Sequence, residues 1–424
     1  MGAFVKTRIV PHRNVYLILA IGAVAIAVRL LEINQPFVDR WSWRQSDVAS
    51  IARNYYTNGF HFSYPQIDWA GDQPGYVGTE FPILPFCAAL CYKFTGIHEW
   101  IGRLQSLVFF AVSVPFFFLL VRAVFGPVAA AWATFFYGGA PLSIMTSRCF
   151  MPDMPSLSLA IVGLYMFLRW TDRETWSLFF AAAVTFAFAF LIKLPTALIG
   201  ASVAYLTFSR FGRSTFRRGR LWLFAALTLI PSAIWYWHAH RVAQEFYPHH
   251  FFGAGGFQIM NASWYGKIGE RIVSESLTAT LVLLAAAGLL IGKGTKRVGI
   301  FYWWLIVTIV FILVAGYGNR HPWYQLPLLP IAAAFAGCAL QWVTIQLTGR
   351  GILQVAVAVA VVVIFAAESY KATRPLYQPT SANLQVLGLA LRKTPEESLI
   401  VVADYGDPTA FYYGERRGWH FLEK

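Results

Sequence analysis

Apolar runs of fifteen to twenty residues recur from one end of this 424-residue chain to the other. One helical crossing of a bilayer needs ~20 such residues, and in hydrocarbon only helices or closed barrels satisfy every backbone polar group. Hydrophobic residues make up 57% of the chain and charged residues only 13%, about half the charge of an ordinary soluble domain. A soluble enzyme, a disordered protein and a fibrous repeat are thereby excluded. The expected fold is an all-α polytopic membrane protein of about eleven transmembrane helices.

Apolar length places the crossings at 15–33, 101–121, 128–146, 155–169, 176–192, 195–208, 221–237, 277–291, 299–316, 325–343 and 352–366. The first follows Lys6, Arg8 and Arg13 and reads as an uncleaved first helix. The net charge of +14 points in a membrane chain to topology rather than to nucleic acid. With the N-terminus inside, the inner connections carry fifteen basic residues, including Arg122, Arg169, Arg173, the cluster Arg210 to Arg220, Lys293, Arg297 and Arg350, against only Asp172 and Glu174. The other eighteen acids fall on the outer side or its margin, as the positive-inside rule requires. Segment 82–95 is too short to span between its polar flanks and is placed as an outer juxtamembrane helix. Counting it as a crossing would put the Arg210 to Arg220 cluster outside.

Three long outer segments remain, 34–100, 238–276 and 367–424, and long ordered loops commonly carry function. The chain divides into a membrane module, 1–366, and a small extracytoplasmic segment, 367–424. In that tail, 382–393 has the helical spacing of Leu384, Leu387 and Leu391, and 399–403 reads as a short strand, which makes a small α/β appendage.

Titratable residues concentrate in these loops. In Asp39-Arg-Trp-Ser-Trp-Arg-Gln-Ser-Asp47, Ser46 reads as an N-cap and Asp47 as a first-turn residue, with Ile51 and Tyr55 on the same face. Asp47 is either a capping carboxylate or a general base whose pKa is adjusted by Arg44 or Arg53. Arg148 and Asp153 bring opposite charges to a membrane boundary, where ionisable groups are costly; Asp153 between two prolines also suits a helix cap. Lys193, between two apolar runs, either snorkels or binds a lipid phosphate beside a proline break. Arg320, His321 and Tyr324 form a further outer turn, and the planar donors of Arg320 suit a phosphate. The histidines at 238, 240, 249 and 250, with Glu245, match no standard metal spacing. Trp41, Trp43, Tyr64 and Trp69 suit an interfacial belt or a platform for sugars.

Taken together these segments resemble the GT-C membrane glycosyltransferases, in particular the family 39-like group of protein O-mannosyltransferases and lipid A aminoarabinose transferases. The resemblance rests on Trp43 to Asp47 with Ile51-Ala-Arg53, on Gly78-Thr-Glu80-Phe-Pro82, on Arg103, on Pro152-Asp153 and on Lys193-Leu-Pro195. It continues through Arg320-His-Pro-Trp-Tyr324 and the tail stretch Asp407 to Trp419. The resemblance implies transfer of a sugar from a polyprenyl-phosphate donor to an envelope lipid, glycan or protein, with inversion, at the outer face of a bacterial inner membrane. It implies Asp47 as base and Asp153 as supporting carboxylate. The usual acidic pair falls on Arg44 and Gln45, so Asp39 is an alternative base. Glu80 matches an acid near the usual Lys-Pro pair, but Phe81 replaces the lysine, which leaves phosphate neutralisation to Arg53, Lys193 or Arg320. No metal or other cofactor is required if these cations suffice. A polytopic transporter or lipid flippase is the alternative reading of the same helices, and a non-catalytic scaffold a third.

Overall fold

A computed structural model describes residues 12–252, 256–292 and 296–421; Lys6, Arg8 and Lys293 of the inner basic set lie outside the described residues. Helix α1 (His12–Leu30) leads into a long loop holding α2 (Ser42–Asn58) and α3 (Ile83–Thr95). Then come α4 (Glu99–Phe125), α5 (Pro127–Gly139), α6 (Pro141–Arg148), α7 (Asp153–Arg173), α8 (Trp176–Ile192), α9 (Gly200–Phe211) and α10 (Gly219–Glu245). A second long loop precedes α11 (Ala262–Arg271), α12 (Ala279–Ile291), α13 (Gly299–Val314), α14 (Leu328–Gln346) and α15 (Gly351–Thr373). The tail adds α16 (Ala382–Leu391), β1 (Ile400–Val402), α17 (Thr409–Gly414) and β2 (Gly418–His420).

Each of the eleven predicted spans falls on a helix or helix pair in this order. By length and composition alone, four helices among the described residues are long and apolar enough to cross a membrane, or six if each bent pair is one span. Two of the missing spans are bent pairs, such as α5 and α6 with 59° between them, and α8 and α13 are apolar but only 17 and 16 residues long. Segment 82–95 is the short apolar helix α3. The predicted start of α2 is corrected: the helix begins at Ser42, Trp41 takes the capping position, and Ser46 and Asp47 lie in the second turn. Ser46 bonds the Thr409 hydroxyl at 3.1 Å instead of capping. Helix α15 also runs past residue 366 to Thr373.

The core is a helical bundle in which α14 packs against both α5 and α12. Two glycines permit that closeness. A Cβ at Gly288 would strike the Phe335 carbonyl, and one at Gly337 would strike that of Ala129, so the helices meet backbone to backbone as small-residue contacts in membranes do. Arg29, fully buried in α1, donates to Ala25 O at 2.8 Å, Gly138 O at 3.0 Å and Ser143 Oγ at 2.9 Å, tying α1 to α5 and α6.

The connections sort onto two faces. Arg218 pairs with Glu174 at 3.0 Å and Arg297 with Asp172 at 2.7 Å, which gathers three basic connections at one end. The 21 residues of α7, at 1.5 Å each, carry the chain about 31 Å to the other end. There the first loop and the tail are joined. Gly418 N donates to Asp68 O at 3.0 Å, and Gly71 N donates to Gly418 O at 2.7 Å. The Tyr413 hydroxyl accepts from Phe37 N at 2.6 Å and donates to Glu99 at 3.0 Å. Strand β2, unread in the sequence, pairs in parallel with β1.

Candidate active site

At this end lies a cavity of about 400 Å³ lined by residues from every long segment. Helix α2 contributes Trp43, Arg44 and Asp47, and the first loop adds Trp69 and Glu80. Lys193 comes from the break after α8, His250 from the second loop, and Arg320, His321 and Tyr324 from the turn before α14. The tail supplies Gly406 and His420.

Because α2 starts at Ser42, Arg44 and Asp47 are three residues apart on one helical face. Asp47 is 3% exposed, and its Oδ1 accepts the Trp69 Nε1 hydrogen at 3.0 Å. Burial raises its pKa to about 7, against the opposing pull of the Arg44 charge and the Trp69 hydrogen bond. Arg44 donates to both oxygens of Glu80, at 2.9 Å each. Burial alone would raise Glu80; the Arg44 guanidinium outweighs it and holds the carboxyl below its usual range. Lys193 Nζ sits 2.6 Å from Asp153 Oδ1 and 5.7 Å from the Tyr324 ring, so it is neither extended to solvent nor a simple snorkel. Asp153 itself opens α7 and lines a small apolar cleft that shares Lys193, Trp323 and Tyr324 with the main cavity.

Two cations are therefore matched by carboxylates. Arg320 is exposed, lies over the Tyr317 ring at 4.1 Å and has no carboxylate in salt-bridge range among the described residues. His321 stacks on Trp323 at 4.6 Å; burial and the neighbouring Arg320 charge lower its pKa to about 3, so the ring is neutral at pH 7. Burial, with Arg44 assisting, lowers His250 to about 4.

Besides Asp153, which lines only the adjoining cleft, three of the sequence-derived residues lie away from the cavity lining. Asp39 is 2% exposed and takes Gln45 Nε2 at 2.9 Å, Arg103 at 3.3 Å and Arg148 at 3.6 Å. Arg148 also donates to Glu32 O and covers the Tyr377 ring. Arg53 pairs with Asp68 at 2.5 Å and donates to Tyr412 O, fixing α2 to the loop and the tail. These groups build the support of α2 rather than the cavity wall. Conversely, the sequence assigned no role to His420, which no local motif marks. Trp69 and His250 stood among aromatic and metal candidates. Among the described residues no three His, Cys, Asp or Glu side chains converge as metal ligands. His238 instead meets the Ser63 carbonyl at 2.8 Å.

The cavity can do two things chemically. A carboxylate poised near pH 7 can take a proton from a hydroxyl, and an unpaired arginine can hold an anion.

Comparison with known proteins follows the same lines. The family described as dolichyl-phosphate-mannose-protein mannosyltransferase matches at residues 72–237. No curated protein matches the chain in sequence. Among solved structures, ArnT from Cupriavidus metallidurans bound to undecaprenyl phosphate is similar with a TM-score of 0.71 at 16% identity, over 97% of this chain and 86% of that one. The Archaeoglobus fulgidus oligosaccharyltransferase in complex with Zn and sulfate gives 0.67 at 14%, over 95% of this chain and 62% of that one. The arabinosyltransferase EmbB of Mycobacterium smegmatis gives 0.50 at 13%, over 92% and 34%. The resemblance read from the sequence holds in three dimensions: this is a polytopic helical chain with the fold of the GT-C membrane glycosyltransferases.

Proposed function

We propose that the chain is a membrane glycosyltransferase that moves a sugar from a polyprenyl-phosphate donor to a hydroxyl of an envelope lipid, glycan or protein. One observation carries this reading: Asp47, with its pKa near 7, and Arg320, free of any carboxylate among the described residues, line the same cavity. The acceptor oxygen bonds to the anomeric carbon while the bond from that carbon to the phosphate oxygen breaks, and the electron pair leaves with the phosphate. Attack opposite the leaving group inverts the centre. Asp47 takes the hydroxyl proton, and Arg320, with Lys193 in the same lining, offsets the charge growing on the phosphate. Asp153 holds Lys193 in place. The adjoining cleft, walled by Leu157, Ile199, Trp304 and Phe311, suits the first isoprene units of the lipid. That ArnT was crystallised with undecaprenyl phosphate supports the donor class. In this reading the cavity faces outward from a bacterial inner membrane, the N-terminus is cytoplasmic and the tail extracytoplasmic.

The test is transfer by the purified chain in proteoliposomes, offered a panel of undecaprenyl-phosphate-linked hexoses and pentoses and extracted envelope material. Labelled sugar should appear in glycosidic linkage, and Asp47→Asn should abolish it. Movement of lipid or sugar across the bilayer with no new glycosidic bond would establish the transporter alternative instead.

A further inference from the structure

The contacts around the cavity sort its lining into two groups. Lys193, Arg320 and His321 cluster with Tyr317, Trp323 and Tyr324. On the other side, Trp69 ties three groups together: it donates to Asp47, and its ring lies 5.2 Å from both His250 and His420. The cationic group suits the donor phosphate. The second group holds the base and needs something to present the acceptor to it.

His420 has the chemistry for that. It ends β2, and its Nδ1 lies 2.7 Å from Oδ1 of Asp404, which follows β1, so the parallel strand pair sets the two side chains together. The Asp404 side chain is fully buried, and the same Oδ1 accepts Gly406 N at 3.0 Å. Its Oδ2 has no partner, and the imidazole is the one basic side chain that meets it among the described residues. In the neutral imidazole a carboxylate so placed keeps the proton on Nδ1, and Nε2 is then the hydrogen-bond acceptor. Phe411 at 5.0 Å and Trp69 pack against the ring and fix its plane. Nε2 has no protein partner among the described residues, and His420 lines the cavity.

Resting on the transferase reading above, we propose that His420, oriented by Asp404, binds the acceptor: Nε2 accepts a hydrogen bond from an acceptor hydroxyl or amide N–H other than the attacking hydroxyl, which leaves the attacking hydroxyl beside Asp47 with its proton directed to that carboxylate. The tail thus supplies the acceptor subsite, while the turn before α14 supplies the donor subsite.

The assay is steady-state transfer by the full-length chain, with the donor that turns over in the panel above and envelope extract as acceptor, each varied in turn. His420→Ala should raise the acceptor KM about tenfold or more, the loss of one hydrogen bond, with the donor KM unchanged. His420→Gln, whose amide oxygen reaches the Nε2 position, should recover most of it. A merely structural strand contact would lower the Tm and raise both KM values together, and that outcome overturns the assignment. So does an unchanged acceptor KM in His420→Ala while the wild type transfers. Absence of transfer in the wild type overturns the transferase reading itself. A second measurement is independent of turnover: diethylpyrocarbonate at about pH 7 should carbethoxylate His420 alongside the exposed His61. Modification of His61 with His420 untouched would show Nε2 closed off and the assignment wrong.

Discussion

Asp47→Asn swaps a buried carboxylate for its neutral isostere. The amide oxygen can still accept from Trp69 Nε1, and Arg44 keeps both oxygens of Glu80, so the chief change is charge. In the folded protein Asp47 holds its proton up to about pH 7, against an ordinary value of 3.8. Between those values the folded state binds more protons than the unfolded one, so stability falls as pH rises through the interval. At 1.36 kcal/mol per pK unit the full shift amounts to about 4 kcal/mol above pH 7; water in the open cavity solvates the ion, so this is a ceiling. The neutral variant escapes the cost. It should be more stable than wild type by up to about 2 kcal/mol near pH 5, rising to about 4 kcal/mol near pH 8. Thermal unfolding in detergent, followed by Trp fluorescence from about pH 5 to 9, reads this as a Tm gap that widens with pH. Transfer moves the opposite way: wild-type rate climbs through about pH 7 as the base ionises, and the variant is inactive throughout. A Tm gap that is absent, reversed or flat with pH would refute the claim that Asp47 is a buried base kept near neutrality.

Other substitutions separate support from chemistry. Asp39→Ala leaves Arg103 and Arg148 buried without their shared carboxylate and should cost about 3 kcal/mol or more in chemical denaturation; a Tm equal to wild type would contradict its structural role. Arg320→Ala should weaken binding of undecaprenyl phosphate about 10- to 100-fold by titration while leaving the Tm unchanged. Trp69→Phe removes the hydrogen bond that lowers the Asp47 pKa, so the acidic limb of the pH–rate profile should move to higher pH; a shift to lower pH would be the wrong sign. Gly288→Leu places a side chain where the Phe335 backbone already sits. It should reduce folded yield sharply, whereas Gly266→Leu, with open space around it, should not.

The sequence was most legible where a signal is local. Run length marks the helices, and the spacing of Leu384, Leu387 and Leu391 marks α16, because each depends on neighbours within a turn or two. It was least legible where partners are distant in the chain. Ser46 has the residue type of a cap, yet its hydroxyl goes to Thr409, 363 positions away. Asp39 stood as the alternative to Asp47 for proton transfer; only the fold brings Arg103 and Arg148 onto it and leaves Asp47 beside a cavity. Arg44 and Glu80 each looked available to a ligand and prove to occupy each other. His420 gave no signal because its meaning lies in a strand pair whose second strand was unread.

The glycines that let α14 press its backbone against α5 and α12 also fix where the molecule can yield. A helix seated that closely cannot roll or slide without collision, and the turn bearing Arg320, His321 and Tyr324 runs directly into its first residues. That wall is an anvil. Across the chamber the opposite wall is held differently, by a pair of backbone hydrogen bonds that fasten the His250 loop to the first loop, Gly78 N to the His250 carbonyl and the Phe252 N–H to the Gly78 carbonyl.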